Sequence, residues 1–136
     1  MIIGVIPSRW GSSRFPGKPL TPILGKPLVL WVVEAAKRAK RLDKVIVATD
    51  DQRIADAVAP HCQAVMTASD LPSGTDRVAV AAKAGPQDIV INIQGDEPLM
   101  DPALIDALAD RMIRTGEEMA TAACPIQSLD QLNART

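Results

Sequence analysis

Residues 88–93, Asp-Ile-Val-Ile-Asn-Ile, are the stretch from which the fold is most directly predicted. A nearly continuous apolar run of this length is typical of a central strand in a parallel sheet, which is buried on both faces. Shorter apolar runs recur along the chain and alternate with segments of helical periodicity. The predicted strands are 2–6, 45–48, 63–66, 88–93 and 119–124, the predicted helices are 27–40, 51–58, 73–83 and 101–113, and another helix could begin at 128. This alternation predicts an α/β fold, an open and mostly parallel sheet with helices on both faces.

Three polar segments follow strands of this predicted sheet. A basic loop leaves the strand at 2–6, Thr49-Asp50 follows the second strand, and the segment 94–98 follows the strand at 88–93. Ligands of open parallel sheets bind outside the carboxyl ends of the strands. We therefore expect the three segments to converge on one binding edge.

The basic loop at 7–20 reads Pro-Ser-Arg-Trp-Gly-Ser-Ser-Arg-Phe-Pro-Gly-Lys-Pro-Leu and contains no acid. Its cations are Arg9, Arg14 and Lys18. Main-chain N–H groups approach a ligand closely where side chains are small, and fixed cations neutralise phosphate oxygens. The composition of the loop therefore favours a triphosphate ligand.

Two familiar phosphate motifs do not fit this loop. In a P-loop, four residues separate the two glycines and a Ser or Thr follows the lysine. Here five residues separate Gly11 from Gly17, and Pro19 follows Lys18. The dinucleotide-binding pattern Gly-x-Gly-x-x-Gly does not follow the first strand either.

Composition narrows the class of ligand further. The net charge is −1, yet residues 1–41 contain eight Lys or Arg and a single acid. This asymmetry favours an anion site near the N-terminus. Only Trp10, Phe15 and Trp31 are aromatic, so stacking platforms for a nucleic acid are scarce and no nucleic-acid partner is expected. No apolar run approaches the roughly 18 residues of a membrane span, and we expect a cytoplasmic protein with no membrane insertion.

Acidic and amide side chains near the predicted edge suggest further roles. Asp96 follows a buried strand opposite the cationic loop, which suits Mg²⁺ held by one carboxylate together with phosphate oxygens. Glu97 could equally be structural or support the metal ligand. Gln94 both donates and accepts, so it could contact a base or a sugar. Asp50 is expected mainly to cap the helix at 51–58.

Six motifs occur in order along the chain. They are Pro-x-Arg-x-x-Ser-x-Arg-x-Pro-Gly-Lys at 7–18, Gly25-Lys26-Pro27, Val45 to Asp50, Ser73 to Arg77, Asn92 to Pro98, and 119–126. In this order they resemble the sugar cytidylyltransferases, most closely the 3-deoxy-manno-octulosonate branch. The resemblance implies a Rossmann-like nucleotide-diphospho-sugar transferase fold. It also implies transfer of CMP from CTP to the anomeric hydroxyl of 3-deoxy-D-manno-octulosonate (KDO) for lipopolysaccharide synthesis, with Mg²⁺ as cofactor.

The resemblance also implies roles for individual residues. Phosphate binding falls to the cations of the basic loop with Ser12 and Ser13, and nucleotide binding to a segment near the third helix. The implied catalytic residues are Arg9, Lys18 and Asp96, with Asp96 as metal ligand, and the implied substrate-binding residues are Arg9, Ser12, Ser13, Arg14, Lys18, Ser73, Gly74, Arg77 and Gln94. For the segment at 73–77, the alternative to nucleotide contact is plain helix capping by Ser73 and a surface position for Arg77. Trp10 departs from the smaller or tyrosine-like residues of the family, and Trp31 is expected in the core.

Chains of this family are about twice as long as 136 residues and homodimeric. The resemblance therefore implies that residues 1–136 are the nucleotide-binding part of one cytidylyltransferase domain, truncated at the C-terminus, with most sugar contacts elsewhere. Two alternatives stay open. The acid sugar could be a different one, such as a sialic acid, or the chain could bind CTP without turnover.

Overall fold

Strands and helices alternate along the chain. The structure is a computed structural model that describes residues 1–11, 16–71, 74–83, 88–94, 101–115 and 119–122. In chain order the elements are β1 (Ile2–Ser8), a 3₁₀ helix (Lys18–Leu20), β2 (Pro22–Ile23), β3 (Lys26–Pro27), α1 (Leu28–Lys37), β4 (Lys44–Thr49), α2 (Gln52–Val58), β5 (Gln63–Met66), α3 (Gly74–Ala82), β6 (Ile89–Ile93), α4 (Pro102–Thr115) and β7 (Met119–Ala122).

The main sheet has five strands in the order β5-β4-β1-β6-β7, and every described pair is parallel. β1 lies at its centre, with Ser8 opposite Thr49 of β4 and Val5 opposite Asn92 of β6. β1 extends two residues beyond the predicted end at Ile6. Because the registered pairs with β6 end at Val5, the last residues of β1 line up with β4 alone.

Both faces of the sheet are covered, as the sequence predicts. One core cluster joins alternate residues of the central strands, such as Ile6 and Val47, to apolar side chains of α1, α2 and α4. The second cluster joins the other alternate residues, such as Val5 and Ile46, to Val78 and Ala81 of α3. Burial on both sides explains why the central strands read as nearly continuous apolar runs.

A small antiparallel hairpin of β2 and β3 precedes α1, and sequence reasoning missed it. Its two-residue turn has positive φ at both Leu24 (51°) and Gly25 (82°), the geometry of a type I′ turn. The predicted helix at 27–40 is shorter in the structure, because Pro27 is the N-cap of α1 and Lys37 its last residue.

Candidate functional site

The carboxyl ends of β1, β4 and β6 lie side by side at one edge of the sheet. Arg9 follows β1, Asp50 follows β4 and Gln94 follows β6. Since β1 pairs with both other strands in parallel, the three segments leave from the same edge. The predicted convergence is therefore confirmed where these segments are described, and the half-buried Gln94 marks the start of the third one.

A main-chain hydrogen bond closes the basic loop at its base. The N–H of Gly17 donates to the carbonyl of Trp10 at 2.8 Å. Arg9 immediately precedes this tie and Lys18 immediately follows it, where the 3₁₀ helix begins. We call Arg9, Trp10, Gly17 and Lys18 the loop base. The tie thus brings the main chain at Arg9 close to the main chain at Lys18, although nine positions separate them in sequence.

Asp50 anchors the loop base to the neighbouring strand. Its Oδ1 accepts the N–H of Trp10 at 3.0 Å. The prediction that Asp50 mainly caps α2 is wrong, because Asp51 is the N-cap and its Oδ1 accepts the N–H of Arg53 at 2.8 Å. The two neighbouring carboxylates therefore have different structural roles. The first fixes the loop and the second starts the helix.

Arg53 extends from α2 over the indole of Trp10. Its guanidinium carbon lies 3.4 Å from the ring centroid. The same guanidinium donates from Nε to Asp51 Oδ1 at 3.0 Å and from Nη2 to Oδ2 at 2.8 Å. Hydrogen bonding to Arg53 holds the pKa of the Asp51 carboxyl below its usual value. Sequence reasoning missed Arg53, since nothing local links it to a residue 43 positions earlier.

Arg77 is buried on α3, with 2% of its surface exposed. The alternative of a surface arginine is therefore wrong. Its Nη1 donates to the hydroxyl of Thr67 and, at 3.0 Å, to the carbonyl of Ala68. These bonds stabilise the segment that follows β5, also at the carboxyl end of the sheet. The predicted nucleotide contact of Arg77 stays a prediction.

Several predicted site residues lie outside the described part of the chain. These are Ser12, Ser13, Arg14, Ser73 and Asp96, with Gly95 and Glu97 beside the last of them. Gly74 is described as the first residue of α3. Among the residues that the structure describes, no group of three or more His, Cys, Asp or Glu could hold a metal ion. The Mg²⁺ prediction therefore rests on Asp96 and on the sequence.

Within the part of the chain that the structure describes, two buried polar side-chain atoms of the strands have no hydrogen-bond partner. They are Oγ of Ser8, a residue 3% exposed at the end of β1, and Oδ1 of Asn92, 5% exposed in β6. Leaving such an atom unpaired costs about 1–3 kcal/mol, so native structures usually satisfy it. Sequence reasoning did not single out either residue for this reason, although a polar residue inside the apolar run 89–93 is a visible signal.

Trp31, the other tryptophan, does not lie in the core, contrary to the prediction. Trp31 is half-buried, and its Nε1 donates to the carbonyl of Ile23 in β2 at 2.8 Å. Trp31 therefore supports the hairpin. Within the described ranges, no helix is both long and apolar enough to cross a bilayer.

Comparison with known proteins gives consistent matches over this chain. The cytidylyltransferase family model matches residues 3–135. The chain is 51% identical over 137 residues to 3-deoxy-manno-octulosonate cytidylyltransferase of Bdellovibrio bacteriovorus, covering 98% of this chain and 56% of that protein. The enzyme of the same name from Syntrophobacter fumaroxidans is also 51% identical, with 97% and 55% covered.

A solved structure of a similar protein has the same fold over most of this chain. The structure of CMP:2-keto-3-deoxy-manno-octonic acid synthetase complexed with CTP matches with a TM-score of 0.79 and 44% identity, covering 85% of this chain and 48% of that one. The chain spans about half the length of the curated relatives it matches.

Proposed function

The chain belongs to the cytidylyltransferase family, and from this premise we propose that the protein containing it transfers CMP from CTP to KDO and releases pyrophosphate. The observation that carries the proposal is the loop base. The bond between Trp10 and Gly17 brings the main chain at Arg9 and at Lys18 together at the ligand edge. The relatives support the substrates, since they are named for the transfer of a cytidylyl group to 3-deoxy-manno-octulosonate.

The proposed reaction is an in-line substitution at phosphorus. The anomeric hydroxyl oxygen of KDO bonds to the α-phosphorus of CTP and loses its proton. The bond from that phosphorus to the β-phosphate oxygen breaks, and pyrophosphate leaves with the electron pair. Such a transfer needs mainly positioning and charge stabilisation from the protein. Arg9 and Lys18 would supply this charge, with Arg14, Ser12 and Ser13 of the same loop.

Nucleotide and metal contacts complete the proposed site. Gln94, Gly74, Ser73 and Arg77 would bind the nucleotide or the sugar. Asp96 would hold Mg²⁺, whose charge stabilises the phosphate oxygens when it is bound. A single carboxylate two residues after Gln94 suits this ion, since Mg²⁺ takes its other ligands from phosphates and water. The position of β6 beside β1 supports this placement, because Gln94 and Arg9 follow neighbouring parallel strands at the same edge of the sheet.

The sequence-based expectations about the whole protein are part of this proposal. They are a role in lipopolysaccharide synthesis, a homodimer, a cytoplasmic location, no nucleic-acid partner, and one cytidylyltransferase domain of which residues 1–136 form the nucleotide-binding part.

Pyrophosphate release tests the proposed reaction directly. The protein is supplied with CTP, Mg²⁺ and one of a panel of acid sugars. Release with KDO alone supports the proposal, whereas release with a sialic acid alone reassigns the sugar. CTP binding without release from any sugar contradicts the transfer, and no CTP binding contradicts the nucleotide site as well.

Lys18→Ala tests the contribution of the loop base. A charge-assisted hydrogen bond contributes about 1.5–3 kcal/mol, so we expect the dissociation constant of CTP to rise about 10- to 100-fold by calorimetry. Lys44→Ala is the matched control, because Lys44 is an exposed cation at the opposite end of β4. Equal effects of the two substitutions would show that only the overall charge matters.

Asp96→Asn tests the metal ligand. The amide keeps the shape of the carboxylate but removes its charge, so we expect Mg²⁺-dependent pyrophosphate release to be lost. Circular dichroism of the variant controls for folding. Unchanged release would mean that the metal is held elsewhere.

A further inference from the structure

Arg53 lies outside every motif that the proposed function uses, yet it contacts the loop base. Its guanidinium carbon, 3.4 Å from the centroid of the Trp10 ring, is well inside the distance of about 6 Å for a cation–π interaction. The Arg53 side chain is 61% exposed, so burial does not account for this position. Specific contacts must hold it there.

Those contacts come from Asp51. The carboxylate accepts two bonds from the guanidinium, at 3.0 Å from Nε and 2.8 Å from Nη2, a planar fork that lysine cannot form. Asp51 is itself fixed as the N-cap of α2, through the N–H of Arg53. The plane of the guanidinium is therefore set by the start of a helix, and the indole rests against that plane.

Trp10 transmits this restraint to both ends of the loop. Its N–H is held by Asp50 and its carbonyl by Gly17, so the backbone and the ring are fixed together. The contact with Gly17 is close. A Cβ added at Gly17 would lie 2.8 Å from Cη2 of Trp10. The indole therefore packs closely against the residue that precedes Lys18.

The loop base brings the main chain at Arg9 and at Lys18 together through the Trp10–Gly17 hydrogen bond, and both residues carry a positive charge. A site that is to bind a polyanion without reorganisation must hold such charges in place beforehand. We propose that Arg53 is a positioning residue that, through its stack on Trp10, keeps Arg9 and Lys18 at the spacing required by the triphosphate of CTP. This inference rests on the proposed function.

Arg53→Gln in the full-length protein tests the inference, with CTP and CMP as ligands. If Arg53 positions the two cations, the dissociation constant of CTP should rise about 3- to 10-fold, while that of CMP, which lacks the β- and γ-phosphates, changes less than twofold. A general loss of structure would weaken the binding of both ligands and lower the melting temperature of the protein. Lys26→Gln is the matched control, because it removes the cation that lies over Trp31.

Labelling with 5-fluorotryptophan shows the stack itself. The ¹⁹F signal of Trp10 is assigned by its loss in Trp10→Phe. It should shift in Arg53→Gln and stay in place in Lys26→Gln. Arg53→Lys keeps the charge but cannot form the two bonds of the guanidinium to Asp51. Its CTP affinity should therefore lie between those of the parent and Arg53→Gln. It also serves as the test if Arg53→Gln does not fold.

The outcomes separate the two proposals. If the parent binds CTP and the Arg53 variants bind it equally tightly, the positioning role is refuted and the proposed function stands. Equal weakening of CTP and CMP also refutes positioning, since the effect would not depend on the added phosphates. A parent protein that binds no CTP overturns the proposed function, and the inference with it.

Discussion

The two tryptophans occupy similar settings at two different places in the molecule. Each indole lies against a cation, and each cation is bound to a carboxylate. The distances from cation to ring centroid are 3.4 Å at the loop base and 4.3 Å at the hairpin. The two sets are Trp10 with Arg53 and Asp51, and Trp31 with Lys26 and Glu34.

The two sets differ in what they connect. At the hairpin the ring, the cation, the carboxylate and the carbonyl all come from residues 23–34, with Lys26 Nζ 2.7 Å from Glu34 and the indole N–H on the carbonyl of Ile23. At the loop base the partners are about 40 positions apart and join the end of β1 to the start of α2. A local set stabilises its own hairpin, whereas the long-range set fixes the spacing of residues at the ligand edge. Substitutions at the loop base should therefore weaken CTP binding, whereas substitutions at the hairpin should leave it unchanged.

The strongest test of this contrast compares Gly17→Ala with Gly25→Ala. Both glycines have positive φ, 77° and 82°, so alanine is strained at either position. That strain costs roughly 1–2 kcal/mol. The space differs, because nothing lies within 4 Å of a Cβ at Gly25, whereas a Cβ at Gly17 meets Trp10 at 2.8 Å. We expect Gly17→Ala to lose roughly 1–3 kcal/mol more of the free energy of unfolding, through overpacking.

Urea denaturation measures the difference in stability, and calorimetry with CTP measures binding. Gly17→Ala should also weaken CTP binding, whereas Gly25→Ala should leave it unchanged. If Gly25→Ala weakened CTP binding as much, the hairpin would be part of the ligand site and the contrast would be lost.

Most of the fold was predictable because local patterns determine it. The strands are short apolar runs between helices with an apolar face, and burial on both sides of the sheet keeps this pattern clear, as in residues 89–93. The hairpin was missed because Leu24-Gly25 is not a typical type I′ pair. Pro27 also fits the first turn of a helix, which concealed the strand before α1.

The candidate site was predictable only where sequence neighbours define it. The cations of the loop base and the edge at which they lie follow from the motif and from the parallel sheet. The roles of Asp50, Arg53 and Arg77 do not, because their partners come from other elements. Neighbouring carboxylates such as Asp50 and Asp51 can both cap a helix in sequence terms, and only their hydrogen bonds in the folded chain separate their roles.

A smaller effect is expected at the tip of the hairpin. Leu24 is 90% exposed and has φ of 51°, a conformation that asparagine adopts more readily. Leu24→Asn creates the Asn-Gly pair preferred in type I′ turns and should stabilise the protein by roughly 0.5–1 kcal/mol in urea denaturation. CTP affinity should not change. A loss of stability would mean that the exposed leucine makes a contact that compensates for its strain, and a change in CTP affinity would connect the hairpin to the ligand site.

The smallest expected effect concerns the hairpin carboxylate. The hydrogen bond from Lys26 holds the pKa of Glu34 below its ordinary value of 4.5. The pair therefore stabilises the protein above pH 4.5, and this contribution is lost as the pH falls through the lowered pKa. Because the two side chains are 30% and 39% exposed, solvent screening limits the contribution to about 0.5 kcal/mol.

Carbon-detected NMR titration of the Glu34 carboxyl checks this directly. In Lys26→Gln its midpoint should move up towards 4.5, while the midpoint of Asp51 stays in place. In Arg53→Gln the midpoint of Asp51 should rise and the midpoint of Glu34 should stay in place, because hydrogen bonding to Arg53 lowers the pKa of Asp51 alone. Movement of both midpoints in either variant would show that the two regions are coupled. The hairpin would then no longer serve as an independent control for the loop base.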